Sequence, residues 1–543
     1  GVRAAGVAMG NAGSAACCDR DAPETPCEVV QAEKVPSFSQ VLTCGGSEVE
    51  NQSLPRFSDT SASAHLSAHN DRLEKMLESE VDMDIIRGIH LHSTLQGFGK
   101  LWQKPPVDLS EAKQLERWRH SRPVNGFDTF LSHAWSTPSR WKVLSLTLQR
   151  GWPIMIISWT VATAIVSALY LLEILPPFSQ IEVDYPGFRG FCPLAPWTQL
   201  AAPAALVVGF LISPYVPRRE TVFLDAVSIH QSDAALMERG IYGIGGCLRV
   251  SEHLQVLWSP PYMSRLWCVF EIAAFRKTNP CGRLSFTPLL QERAVVLVIL
   301  TEVMMSFIWY GVIAADAGTS AQRMADGLCM IPLVVGTHAL RRSLCEGRKR
   351  LNELAHFDLD YAKCRLDSDR VILLNAIEKM YGSTEEFTKF VRGPLFEELT
   401  GSASFKHFPI GYFLITAGIP MALSLDFVLA LLRAGAVQTA LSYFLASTLA
   451  FNLAWMSMLI SMMLELSQST AATCHANPLL YFGLTLLQVL LIAVLFVVGG
   501  MIASWSLRVS LFACTIWCAG SFLICILVLH GRNFFAYWSR RTY

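Results

Sequence analysis

The chain has no net charge and little charge of either sign. Lys+Arg and Asp+Glu each number 44 in 543 residues, and the four types make up 16% of the chain. Such a balance provides no field to gather a polyanion, so nucleic acid is not an expected partner. The 15 cysteines form no CxxC pair, and there is no HExxH or paired Cys/His spacing. Their scatter argues against a zinc site and against a disulfide scaffold. Cys514, Cys518 and Cys525 fall inside apolar runs and read as reduced, buried thiols. His133, His230 and His253 lie near predicted strand ends, but without metal-ligand spacing, so no metal is expected. The first hundred residues are poor in large apolar side chains. Residues 1–120 are therefore expected to be mostly disordered, with one helix around Leu73 to Ile89. No apolar stretch of the secretory type follows the first residues, so no signal peptide is expected.

What is abundant is hydrophobicity. Apolar residues make up 52% of the chain, and the mean hydropathy is +0.36. Crossing a bilayer takes about twenty apolar residues. Runs of this kind come in pairs: Trp152 to Leu175 with Leu200 to Val216, then Ala294 to Ala314 with a weaker run, Gly327 to Leu340, broken by Pro332. Four more follow: Tyr412 to Leu432, Ala440 to Leu464, Leu479 to Ser504 and Val509 to Leu529. The expected organisation is a transmembrane hairpin at 151–216, a second pair at 291–340 and a four-helix membrane region at 408–531. A cytosolic helical segment at 341–407 and a tail at 532–543 complete it. Arg150, Arg218, Arg219, Arg276, Lys277, Arg341 and Arg342 border spans on one side, whereas the opposite loops hold isolated arginines such as Arg189 and Arg433. By the positive-inside rule the soluble segments and both termini face the cytosol. The sequence does not say which membrane is spanned. Met9-Gly10 followed by Ser14 fits an N-myristoylation pattern, and Cys17 and Cys18 are candidate palmitoylation sites that would tie the chain to membrane lipid.

The soluble segments carry three short apolar strands that end in polar residues. They are Phe127 to Ser132, Val222 to Asp225 and Leu254 to Trp258 with Ser259 behind it. A fourth strand fits at Leu284 to Leu289. Open parallel sheets look like this, with their sites at the strand C-termini. In segment 341–407, Leu373, Ile377 and Met380 share one helix face. Gly382 ends that helix, and Ser383 to Glu386 caps the next, whose apolar stripe is Phe387, Phe390 and Val391.

The sequence resembles a TIR domain at Phe130-Leu131-Ser132, at Phe223-Leu224-Asp225, at Ser251, at Ser259 with Tyr262, and at Trp267-Cys268-x-x-Glu271. It is similar to plant-type members from Ser251 to Glu271, and to multi-pass TIR-like proteins of unicellular eukaryotes at Ser264 to Cys268. The resemblance covers about a quarter of the chain, 121–150 and 217–290. It implies a flavodoxin-like α/β parallel sheet, here incomplete and split by a transmembrane hairpin, with the first strand between the second and third. It also implies a nucleotide site at Ser132, His133, Asp225, Ser259 and Tyr262, with Trp267 and Cys268 as structural motif residues. In enzymatic members the carboxylate that stands at Glu271 cleaves NAD, so NAD is a possible substrate and no other cofactor is implied. Glu271 has a structural reading as well, as a residue near a helix N-terminus that caps it or pairs with Arg265. His133-Ala134-Trp135 departs from the family's usual step after the first strand. The run Gly240 to Gly246 has the wrong spacing for a dinucleotide fingerprint and reads as a flexible loop.

Three functions remain open from sequence. One is a membrane-held signalling module that recruits other TIR-like modules or itself. The second is a membrane-anchored NAD-cleaving enzyme. The third is a transporter or channel with a regulatory TIR-like part, although no repeat of the apolar pattern suggests transporter halves. Glu302, Asp426 and Glu465 are acids in or beside spans. Glu302 is the deepest, and Asp426 and Glu465 are expected to snorkel at span ends.

Overall fold

The computed structural model describes residues 83–541 apart from 260, 290, 315–329, 332, 343, 346–353, 365–366, 402–408 and 471–476. The lipidation candidates Gly10, Cys17 and Cys18 lie outside the described residues.

Eight strands are present among the described residues: β1 (Arg87–His90), β2 (Arg122–Pro123), β3 (Thr129–His133), β4 (Ser179–Tyr185), β5 (Phe188–Leu194), β6 (Thr221–Phe223), β7 (His253–Trp258) and β8 (Arg283–Pro288). Six of them form one sheet in the order β2-β1-β6-β3-β7-β8. The four strands expected from sequence run parallel side by side as β6-β3-β7-β8, with β3 between β6 and β7 and β8 at the edge. Phe130 pairs with Phe223 on one side and with Leu254 on the other. β3 is buried at all five positions and β7 at five of six, because both sheet faces are covered. Phe130, Phe223, Leu254 and Val256 are at most 2% exposed, and the Phe130 and Phe223 rings stack at 4.3 Å.

The other edge of the sheet corrects the expectation of disorder over 1–120. Residues 83–120 are structured: β1 pairs antiparallel with β6, and β2 with β1. The described part of the helix expected at Leu73 to Ile89 is a short 3-10 turn, Met83–Ile85, and a strand. Trp102, 1% exposed, anchors this segment in the core with Leu91 and Leu95. The run Gly240 to Gly246 is likewise not a loop. It lies in two short helices, Ala234–Tyr242 and Ile244–Arg249. A Cβ on Gly243 would come within 2.5 Å of Ile85, so the small residue lets the helix junction meet the 3-10 turn.

The expected helices of the 341–407 segment are Asp367–Tyr381 and Thr384–Phe390. Gly382 takes the left-handed conformation (φ 89°) that ends the first. The Ser383 hydroxyl accepts the Glu386 N–H at 3.1 Å and caps the second. Leu373, Ile377 and Phe387 join the same core as the sheet, and the Tyr381 hydroxyl donates to the Ala273 carbonyl at 3.1 Å.

Seven helices among the described residues are long and apolar enough to cross a membrane. The weaker run at Gly327 to Leu340 is not one of them, although it is helical over 330–342 apart from residue 332. It still has a topological role. The third span, Gln291–Ala314, leaves from β8, and Leu354 and Phe357 are back in the sheet's core. The first span, Ser139–Leu171, and the second, Trp197–Tyr215, form the hairpin between β3 and β6. Its connection is itself a β-hairpin, β4 with β5, packed on the end of Ile410–Arg433 through Cys192, Leu194 and Leu431.

A buried polar chain joins the sheet to the spans. Gln255 of β7 donates to Thr287 of β8 at 3.0 Å and to Gln149 of the first span at 2.9 Å. Gln149 in turn donates to Glu292 at 3.1 Å, which also accepts from the Tyr412 hydroxyl at 3.0 Å. Strands and membrane helices are thus fixed by directional bonds as well as by apolar contact.

Candidate functional site

The C-terminal ends of β3, β6 and β7 converge, as an open parallel sheet requires. β3 delivers Ser132 and His133. β6 runs into Asp225 at the start of a single helical turn, Asp225–Ser228. After β7 come Ser259 and Tyr262, and then helix Leu266–Thr278 with Cys268 and Glu271 in its first two turns.

Two clusters result. In the first, the Ser132 hydroxyl donates to Glu271 and also bonds the Tyr262 hydroxyl. Ser132 is 1% exposed and Tyr262 is fully buried. Burial, then Cys268 and Glu271, holds the Tyr262 phenol well above its ordinary range. Burial pushes the Glu271 carboxyl up to about 8, aided by the nearby Asp225 charge and opposed by the Ser132 hydrogen bond. Glu271 is thus tied to Ser132, and the structural pairing weighed for it with Arg265 is replaced by this one.

The second cluster surrounds His133. Its Nε2 lies 3.5 Å from Asp225 Oδ1, too far for a strong hydrogen bond. Burial and then the charge of Lys142 lower the imidazole's affinity for a proton, against the pull of Asp225. Burial alone would raise Asp225. His133, the Trp135 indole N–H at 2.7 Å and the Ala226 N–H at 2.7 Å outweigh it and keep the carboxylate low. Asp225 remains 38% exposed at its side chain. Lys142, 1% exposed, donates to the Ala134 carbonyl at 2.9 Å and approaches His133 Nδ1 at 3.3 Å. Trp102 and Trp135 wall in the imidazole, with ring centroids at 5.0 and 4.7 Å.

The structure therefore brings together Ser132, His133, Asp225, Tyr262, Cys268 and Glu271. Ser259 bonds Thr137 at 2.5 Å. Trp267 is only half-buried and packs edge-on against Phe270. Cys268 is buried, with its thiol 3.6 Å from the His133 carbonyl. The three histidines do not converge: His230 packs on Trp118, and His253 bonds Ser285 at 2.6 Å. No group that could hold a metal occurs among the described residues. Sequence reasoning missed Lys142, Trp102 and Thr137. Each comes from a segment with no motif, and only the tertiary fold brings it in.

The Glu271 shift has a measurable consequence. Between the ordinary value of 4.5 and about 8 the folded chain keeps a proton that the unfolded chain has released. Stability therefore falls as pH rises through that window. Glu271→Gln keeps the shape and the neutral state, so it is expected to remove this part of the slope. Thermal melts of both proteins from about pH 5 to about pH 8 check it, and parallel pH profiles would refute the assignment.

The two large cavities described below lie elsewhere, between membrane helices. Comparison of the chain with family models, with curated proteins and with solved structures finds no match.

Proposed function

We propose that this multi-pass membrane protein presents a TIR-like interaction module on the cytosolic side of its membrane, and that the module works by association rather than by cleaving NAD. The observation that carries this reading is the closed Ser132–Tyr262–Glu271 cluster. A carboxyl group that already accepts from a buried serine, itself bonded to the Tyr262 hydroxyl, is poorly placed to hold a ribose. Buried Ser132 and Tyr262 and half-buried Glu271 read as a lock between β3 and helix Leu266–Thr278. The cytosolic orientation follows from the basic residues that flank the spans on the sheet side, such as Arg150, Arg218 and Arg276. Association has a surface available: β8 pairs only with β7 among the described residues, and an open edge is a template for another strand.

The test uses full-length protein in vesicles, incubated with NAD and followed for nicotinamide release and for cross-linked oligomers. The expected result is no release above empty vesicles for wild type or Glu271→Gln, with oligomers in both. Release by wild type that is lost in Glu271→Gln would replace this reading with the enzymatic one.

A further inference from the structure

Two adjoining cavities, of about 1000 and 770 Å³, lie between the membrane helices. They share Glu302, Met305 and Trp309 of the third span and Phe496, Gly500 and Ser504 of helix Pro478–Val509. Glu302 is the acid that the sequence marks as deepest in a span. It is residue 12 of the 24-residue helix Gln291–Ala314, halfway along it. Its Oε2 is buried without a hydrogen-bond partner among the described residues. A carboxylate in that position is costly unless a counter-charge reaches it.

A second observation singles out the same place. A π-helical stretch, Phe444–Trp455, supplies Phe451 and Asn452 to the second cavity, which Glu302 also lines. Wide helical turns of this type are rare and occur mostly at functional sites. Volumes of this size hold a small organic molecule rather than a bare ion. The rings of Trp309, Phe496 and Phe451 offer faces that attract positive charge. Arg508 also lines both cavities, two turns beyond Gly500 on the same helix.

We infer that these cavities form one intramembrane site for an apolar organic cation, an amine or quaternary ammonium on a hydrocarbon or aromatic body, with Glu302 as its counter-charge. The site stands independently of the TIR-like reading, because its lining comes from the membrane helices, the helical run at 330–342 and the β4–β5 hairpin, and not from the six-stranded sheet.

The experiment uses full-length protein in lipid nanodiscs with tetraphenylphosphonium as probe and tetraphenylborate, of similar shape and opposite charge, as its control. Saturable binding of the cation is expected, competed by a long-chain trimethylammonium and not by the borate. Glu302→Gln is expected to weaken it by about tenfold or more, which is the loss of roughly one charge contact. Gly500→Leu tests the space separately. A Cβ there has only Phe451 nearby, at 3.8 Å, so the larger side chain fills the cavity without a clash and should abolish binding with the carboxylate intact. Binding no greater than in empty nanodiscs, equal uptake of the borate, or wild-type affinity in either folded variant overturns the inference.

Discussion

Asp426→Ala is expected to destabilise the membrane domain by about 3 kcal/mol, the cost of stranding two buried donors at a helix end. Asp426 does not snorkel at its span end, as its position in the sequence suggested. It is 2% exposed and faces the N-terminus of the second span, where its two oxygens accept the Thr198 N–H at 2.9 Å and the Gln199 N–H at 3.0 Å. It therefore caps a helix far from it in sequence, a task usually done by the residue just before a helix. Here that residue is Pro196, which makes no side-chain cap. Asp426→Asn keeps one acceptor and is expected to lose about half as much. Melting of the detergent-solubilised proteins, followed by monodispersity against temperature, measures both. An alanine variant that melts with wild type would show that water or lipid headgroups serve these donors equally well.

Gly209→Leu is expected to be as damaging, by a steric route. A Cβ on Gly209 would sit 2.6 Å from the Met155 Cα and 3.1 Å from the Ile154 carbonyl. Backbone atoms cannot rotate away as a side chain can. The two helices of the first hairpin must separate, at about 3 kcal/mol or more. Because the hairpin ends carry β3 and β6, the loss should reach the sheet. Faster hydrogen exchange at Thr129–His133 and Thr221–Phe223 is the expected sign. Gly483→Leu is the control, since nothing lies within 4 Å of its would-be Cβ, and it should change stability by less than about 0.5 kcal/mol. Unchanged exchange in Gly209→Leu would mean that sheet and hairpin fold independently.

The parallel strands were legible because strands buried on both faces are written as continuous apolar runs with a polar terminus. Leu254 to Trp258 follows that form apart from Gln255, and Phe127 to Ser132 apart from Asp128 and Thr129. Ser132 was legible as a strand end, and Tyr262 and Glu271 as the turn and helix start after another strand, which an open parallel sheet gathers at one edge, although nothing in the sequence said that the Ser132 hydroxyl would bond both. β1 was not legible: Arg-Gly-Ile-His is too short and too mixed to carry a period, and only its pairing with β6 makes it a strand. Trp102 and Lys142 reach His133 from a stretch that reads as mostly disordered and from a part of the soluble segment 121–150 that carries no motif. Their role depends on tertiary convergence, which leaves no local trace. Asp426 shows the same limit, since a cap supplied by another helix has no sequence signature. The glycines from Gly240 to Gly246 misled for the opposite reason. Their weak helix propensity is real, but packing of Gly243 against Ile85 overrides it.

The insertion of a membrane hairpin between β3 and β6 also constrains the order of events in biogenesis. The pairing of Phe130 with Phe223 closes a loop that contains two complete bilayer crossings. A soluble domain could search for that contact freely, at the ordinary entropic cost of a long loop. Here the search can succeed only after both crossings have inserted and the chain has re-emerged on the side it left. A copy whose hairpin fails to insert keeps β3 without its central neighbour and leaves the apolar faces of Phe130 and Val256 open to chaperones and proteases. The assembled sheet thus certifies that translocation has been completed, and only a correctly threaded copy joins Ser132 to Glu271.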